Sequence, residues 1–282
     1  MLHPVRAKLL ACGLALSLAA AAPAVAASEW VEATHSAVRL VTAGEMETDG
    51  RKGLWAAVAI RMDEGWKTYW RNPGDAGIPS HLDWEGSINL ASAKVEWPAP
   101  LRFHDGLAWS IGYKDEVVIP IRLEAENPER PVALSLRFSY AVCAEICIPE
   151  QADLNGFVRN GETDAAASKM IGRAVKKVPE VLAEGASSHF ASLERMGDAE
   201  GRFVEVTLKA FDGADKADLF AETTEGIGLP VPTRMNEGAD AGQLGFRVYL
   251  DGVPENQKQE PLSLRLTLVW PDGAFQQDWL LD

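Results

Sequence analysis

Apolar and polar residues alternate with a period of two through most of the readable chain. Across residues 53–62, Leu54, Ala56, Val58, Ile60 and Met62 share one face, and across 116–124 Val117, Ile119, Ile121 and Leu123 do the same. Successive side chains of a strand point to opposite faces, so these segments predict half-buried β-strands. From Pro131 onward Val132, Leu134, Leu136, Phe138 and Tyr140 oppose Ser135, Arg137 and Ser139. That is the pattern of an antiparallel strand with one solvated face, and it runs directly into Cys143. The alternation returns at 202–210, 244–250 and 262–270.

Between the two strand-rich halves the period changes. Ala165, Ala166, Ala167, Met170, Ala174, Val175 and Val178 recur at helical spacing, with Thr163 or Asp164 as a start signal and Pro179 as a late breaker. This predicts a short helix or linker. Strands separated by Gly, Pro and Asp turns, without repeated strand–helix alternation, favour an all-β chain of sandwiches over a parallel α/β sheet. The segment after Cys147 is read as an extended hairpin return, because Asn155-Gly156 leaves little room for a helix. A chain of 282 residues has room for about two domains.

Composition narrows the function. Hydrophobic residues make up 47% and charged residues 24%, as in folded proteins, and the formal net charge is −14. Phosphate backbones and anionic lipid surfaces attract clustered Lys and Arg, so nucleic acid is not an expected partner. Residues 1–27 combine Arg6 and Lys8, a short apolar run and an Ala-rich end, which predicts a cleavable secretory signal and a periplasmic mature protein. No later segment is long and apolar enough to predict a membrane span. Cys12 would leave with the signal, and the exported chain would keep Cys143 and Cys147.

These two cysteines are the most informative feature. A bridge over so short a loop constrains the unfolded chain by only about 2 kcal/mol, less than a longer staple supplies. Redox exchange is the leading reading, because a nearby resolving sulfur suits thiol–disulfide exchange. An inert local staple and metal binding remain alternatives. Glu145 lies between the sulfurs and Glu150 soon after, with no Lys, Arg or His in 138–153, so Glu145 is expected to raise the thiol pKa. The scattered histidines lack the paired spacing of a zinc site; Cu(I) held by two thiolates and His104 is the least implausible metal reading, and no cofactor is predicted. Two aromatic stretches accompany the pair. In 66–79, Tyr69 and Trp70 must lie on opposite faces, so one of them is free to line a site. In 97–113, Phe103 and Trp109 are placed either to cover a reactive group or to anchor a loop.

Taken together, Trp66-x-Thr-Tyr-Trp-Arg-Asn-Pro-Gly-Asp-Ala-Gly-x-Pro79, Gly112-Tyr113 with its following strand, and Cys143-x-x-x-Cys147-Ile-Pro149 resemble the N-terminal periplasmic domain of the thiol:disulfide interchange protein DsbD. The likeness is closest to the ScsB-like branch, associated with suppression of copper sensitivity. The resemblance implies two immunoglobulin-like β-sandwich domains joined by a short helical linker: a redox domain at 28–160, a linker at 161–184 and a second β domain at 185–282. It also implies a thiol–disulfide oxidoreductase activity. Electrons would come from a membrane-embedded reductase through a thioredoxin-like domain and pass to periplasmic protein disulfides. Cys147 would form mixed disulfides and Cys143 would resolve them. Residues 103–112 would take the place of the cap loop, with Phe103 or Trp109 shielding the pair and Tyr69, Trp70 and Tyr140 as wall candidates. Full-length relatives continue into transmembrane helices and a thioredoxin domain, so the reductase is expected on a separate polypeptide.

Overall fold

The computed structural model describes residues 27–104, 108–197, 201–235, 244–254 and 261–281. The predicted secretory signal lies almost entirely outside them. The first half of the chain forms strands β1 (Val31–Ala33), β2 (Ser36–Thr48), β3 (Arg51–Met62), β4 (Lys67–Gly74), β5 (His81–Asp83) and β6 (Leu90–Val95). These are followed by β7 (Leu101–His104), β8 (Trp109–Lys114), β9 (Glu116–Ala125), β10 (Val132–Cys143) and β11 (Cys147–Val158). One sheet has the order β1-β2-β3-β9-β6, the other β11-β10-β4-β8-β7, with β5 also paired to β10. Their inner faces enclose a core that includes Val58, Ile60, Ile119, Ile121, Leu136 and Phe138, the positions that the alternation marks as apolar.

Strand β3 departs from the half-buried expectation. Trp55, Ala57 and Ala59 on its other face are buried as well, beneath helix α1 (Ala165–Val175). The helix starts where Asp164 accepts a hydrogen bond from Ala167 N at 2.7 Å, satisfying one of the free N–H groups of its first turn. Its apolar stripe of Ala167, Ile171 and Val175 then covers the sheet. The linker is therefore also a third layer over the first sandwich.

The second half contains β12 (Glu180–Leu182), β13 (Phe190–Gly197), β14 (Arg202–Leu208), β15 (Asp218–Thr223), β16 (Thr233–Met235), β17 (Gly245–Tyr249), β18 (Leu262–Trp270) and β19 (Gly273–Leu281). They build sheets β12-β19-β18-β15 and β13-β14-β17-β16 around their own core of Val204, Val206, Leu264, Leu266 and Phe246. The architecture is all-β and immunoglobulin-like, with a single α-helix among the described residues.

The two sandwiches meet along β4 and β7. Trp70 packs against Phe220 with ring centroids 5.8 Å apart. Arg71 Nε donates to both Glu222 oxygens at 2.9 and 3.1 Å, and its Nη2 donates to Gln276 at 2.8 Å. Asn72 Nδ2 donates to the carbonyls of Ala221 and Leu229. Arg102 clasps Asp218 through two bonds of 3.0 and 2.6 Å. A strand end that reads in sequence as the entry to a turn is a bonded seam between domains.

Candidate functional site: the disulfide at the tip of the β10–β11 hairpin

β10 and β11 pair in register over their whole length, from Val132 opposite Val158 to Cys143 opposite Cys147. Paired residues of an antiparallel ladder project to the same face, so a disulfide closes the hairpin at its last rung. The Cys143–Cys147 bond is formed, with Cα atoms 4.2 Å apart. Its two ends differ in access: Cys143 is 4% exposed, whereas Cys147 lies in the exposed turn beside Ile146, itself 66% exposed.

Parity along each strand decides which neighbours reach the sulfurs. On β10 Cys143 shares its face with Ala141, while Tyr140 points to the core, where its hydroxyl lies 2.9 Å from Ser36 Oγ and its ring stacks on Phe138. Burial raises the Tyr140 pKa; the Ser36 bond lowers it and the Glu150 charge raises it further. Tyr140 is thus placed away from the disulfide, contrary to its expected position in the site wall. On β4 Tyr69 packs with Ala141 and Cys143, and its hydroxyl lies 3.1 Å from Cys147 Sγ. Trp70 points the other way, into the seam with the second sandwich. Of the two expected wall residues on β4, the structure brings Tyr69 to the pair and not Trp70.

Two glycines make room for Tyr69. A Cβ on Gly112 of β8 would lie 1.9 Å from the Thr68 carbonyl and 2.9 Å from Tyr69 Cα, and one on Gly77 would lie 2.7 Å from the Tyr69 ring. Only a residue without a side chain allows backbone approach this close.

Residues 103–112 are mostly a hairpin of β7 and β8, with 105–107 at its turn outside the described residues. Phe103 pairs with Ser110, on the same face of the sheet as Gly112, Tyr69 and the disulfide, and is 5% exposed. Trp109 pairs with His104 on the opposite face; the two rings meet edge-on at 4.7 Å, and Trp109 is 41% exposed. Phe103, not Trp109, therefore shares a face with the cysteines. Among the described residues no group of three or more His, Cys, Asp or Glu is placed to hold a metal ion.

The charges differ from those expected. Glu145 is exposed in the turn, and Glu150 is engaged by the backbone N–H of Thr34 at 3.0 Å. The residue opposite Cys143 is Lys67 of β4, and opposite Lys67 on β8 is Lys114. Their ammonium groups lie 5.5 and 5.1 Å from the centroid of the Phe103 ring. Inspection of residues 138–153 alone misses these cations, because they arrive across strands. The signal was present in sequence: period two from Tyr69 puts Lys67 on its face.

Residues 37–158 match the family model of the thiol:disulfide interchange protein DsbD, N-terminal. The DsbD-like stretch spans the first sandwich from β2 to the end of β11, and the disulfide falls within it. The crystal structure of the N-terminal periplasmic domain of ScsB from Proteus mirabilis is similar in fold beyond that stretch. It superposes with a TM-score of 0.68 at 19% sequence identity, covering 91% of this chain and 98% of that one. No curated protein matches the chain. Among the described residues no helix is long and apolar enough to cross a membrane.

Proposed function

We propose that the chain is an exported thiol–disulfide exchange module. Its Cys143–Cys147 pair takes electrons from a thioredoxin-like domain or a membrane-embedded reductase and passes them to disulfides of periplasmic proteins. One observation carries the reading: a disulfide at the tip of a hairpin, inside the DsbD-like stretch, with one sulfur buried and the other in an exposed turn. A structural staple gains nothing from an accessible sulfur. An exchange centre needs one, since a partner thiolate must approach along the S–S axis.

In this scheme Cys147 is the sulfur that partners attack and Cys143 is the resolving sulfur. Tyr69 forms the wall beside Cys147, and Phe103 shields the Cys143 side. Residues 1–27 direct export, 28–160 form the redox domain, 161–184 the linker, and 185–282 a second domain that braces β4. The aliphatic Ile146 beside Cys147 gives a partner an apolar foothold.

The test is a trap. A Cys143→Ser variant keeps Cys147 as a thiol that cannot be resolved internally, and its mixed disulfides are collected from the periplasm after acid quenching. Recovery of a thioredoxin-like protein or reductase domain supports the scheme. The absence of any adduct, together with a reduction potential below about −300 mV, the range of structural bridges, refutes it.

A further inference from the structure

The cation opposite Cys143 has a chemical use that the hairpin alone does not supply. When a thiolate attacks Cys147 Sγ, a new S–S bond forms to Cys147, the Cys143–Cys147 bond breaks, and its electron pair departs on Cys143 as a thiolate. Exchange is faster when the leaving sulfur has a lower pKa. Cys143 is buried, and burial in apolar surroundings disfavours a thiolate, so the leaving group would be a poor one unless a positive charge faced it.

We infer that Lys67 supplies that charge and stabilises the departing Cys143 thiolate, with Lys114 as a weaker second contributor. This rests on the exchange reading above. Lys67 is directly opposite Cys143 in the β4–β10 register, so the two side chains leave the same face with Cβ atoms roughly 4.5–5.5 Å apart. Lys67 is only 8% exposed, so little solvent screens it. The buried Phe103 ring holds both ammonium groups on this face, Lys67 at 5.5 Å and Lys114 at 5.1 Å from its centroid. Phe103 thus has a second use besides shielding: it fixes cations beside the sulfur that leaves. Other charged groups of the surrounding strands are turned elsewhere. Glu150 is bonded to Thr34 N, Glu145 is exposed in the turn, and Arg71 and Arg102 are bound in the seam between sandwiches.

The experiment uses the full chain with Cys12→Ser and Cys147→Ser, leaving Cys143 as a lone thiol whose thiolate absorbance is titrated. Lys67→Met keeps the stem and removes the charge, and is expected to raise the Cys143 pKa by about one unit, the low end for loss of a close opposite charge. Lys67→Arg is expected to restore it. In the chain with both Cys143 and Cys147, reduction by dithiothreitol is expected to slow about threefold in Lys67→Met, taking for the leaving sulfur a sensitivity like the ~0.4–0.5 of attacking thiols. An unshifted pKa in Lys67→Met, or equal shifts in the Met and Arg variants, overturns the inference. Should Lys67→Met fail to fold, Lys114→Met decides: a smaller rise supports the inference and no rise overturns it. Dithiothreitol needs no biological partner, so an empty trap with Cys147 defeats the exchange scheme, while a flat titration defeats only the role of Lys67.

Discussion

Replacing Arg71 with Met breaks the ion pair that joins the two sandwiches, and the structure sets the size of the effect. The Glu222 side chain is 6% exposed, and Arg71 is its bidentate partner. Burial works against the Arg71 charge, and the Glu222 carboxylate beside it sustains that charge. Removing one member of a buried pair costs about 3–5 kcal/mol, because the other is left desolvated and uncompensated. Arg265 stays 3.9 Å from Glu222, although its guanidinium is committed to Asp278 through two bonds of 2.9 Å. The low end, about 3 kcal/mol, is therefore expected. At about 2–4 °C per kcal/mol for domains of 150–250 residues, this amounts to a midpoint lower by about 6–12 °C. Scanning calorimetry measures it and also shows whether one transition splits into two as the sandwiches uncouple. The double variant Arg71→Met, Glu222→Leu removes both charges and is expected to recover most of the loss. A single-variant loss under about 1 kcal/mol, or a double variant no better than the sum of its parts, would refute the claim that this pair joins the domains.

Three further outcomes follow from the geometry. Gly112→Ala forces a methyl into the Thr68 carbonyl and the Tyr69 backbone, and is expected to destabilise by about 3 kcal/mol or more in urea unfolding, with backbone unable to give way. Asp164→Ala removes the cap of α1 and should cost about 1 kcal/mol by the same measurement. Burial raises the pKa of both Tyr113 and Tyr140 above 10.0, so the folded state holds these protons more tightly than the unfolded one. Their contribution to stability is complete below about pH 10 and is lost as pH rises further, by up to about 1.4 kcal/mol per pH unit for each tyrosine. Midpoints measured between pH 9 and 11 test this, and Tyr113→Phe is expected to flatten the decline.

The strands were legible because a face that meets a core leaves a period of two in the sequence, and β3, β9, β10, β14 and β18 lie where that period runs. The extended return after Cys147 is likewise found, as β11. Burial on the second face of β3 was not legible: the cover comes from a helix more than 100 residues later, and Trp55 and Ala57 read equally well as an outer face. Tyr140 was decidable in principle, since three steps along a strand separate it from Cys143 and an odd step reverses the face. The seam and the lysines were not decidable. Arg71 meets Glu222, and Lys67 meets Cys143, only after strand order and register are fixed, and local spacing encodes neither.

Strand β4 carries Tyr69 toward the sulfurs and, in the next three positions, Trp70, Arg71 and Asn72 into the second sandwich. Trimming the chain to its first half to obtain a smaller reagent would strip this strand of its backing. The fragment would present a bare indole, a guanidinium without its carboxylate and an orphaned amide, next to the very tyrosine that touches the reactive bond. Such a fragment would be a poor proxy for the whole protein, and sulfur chemistry measured on it would describe a different molecule.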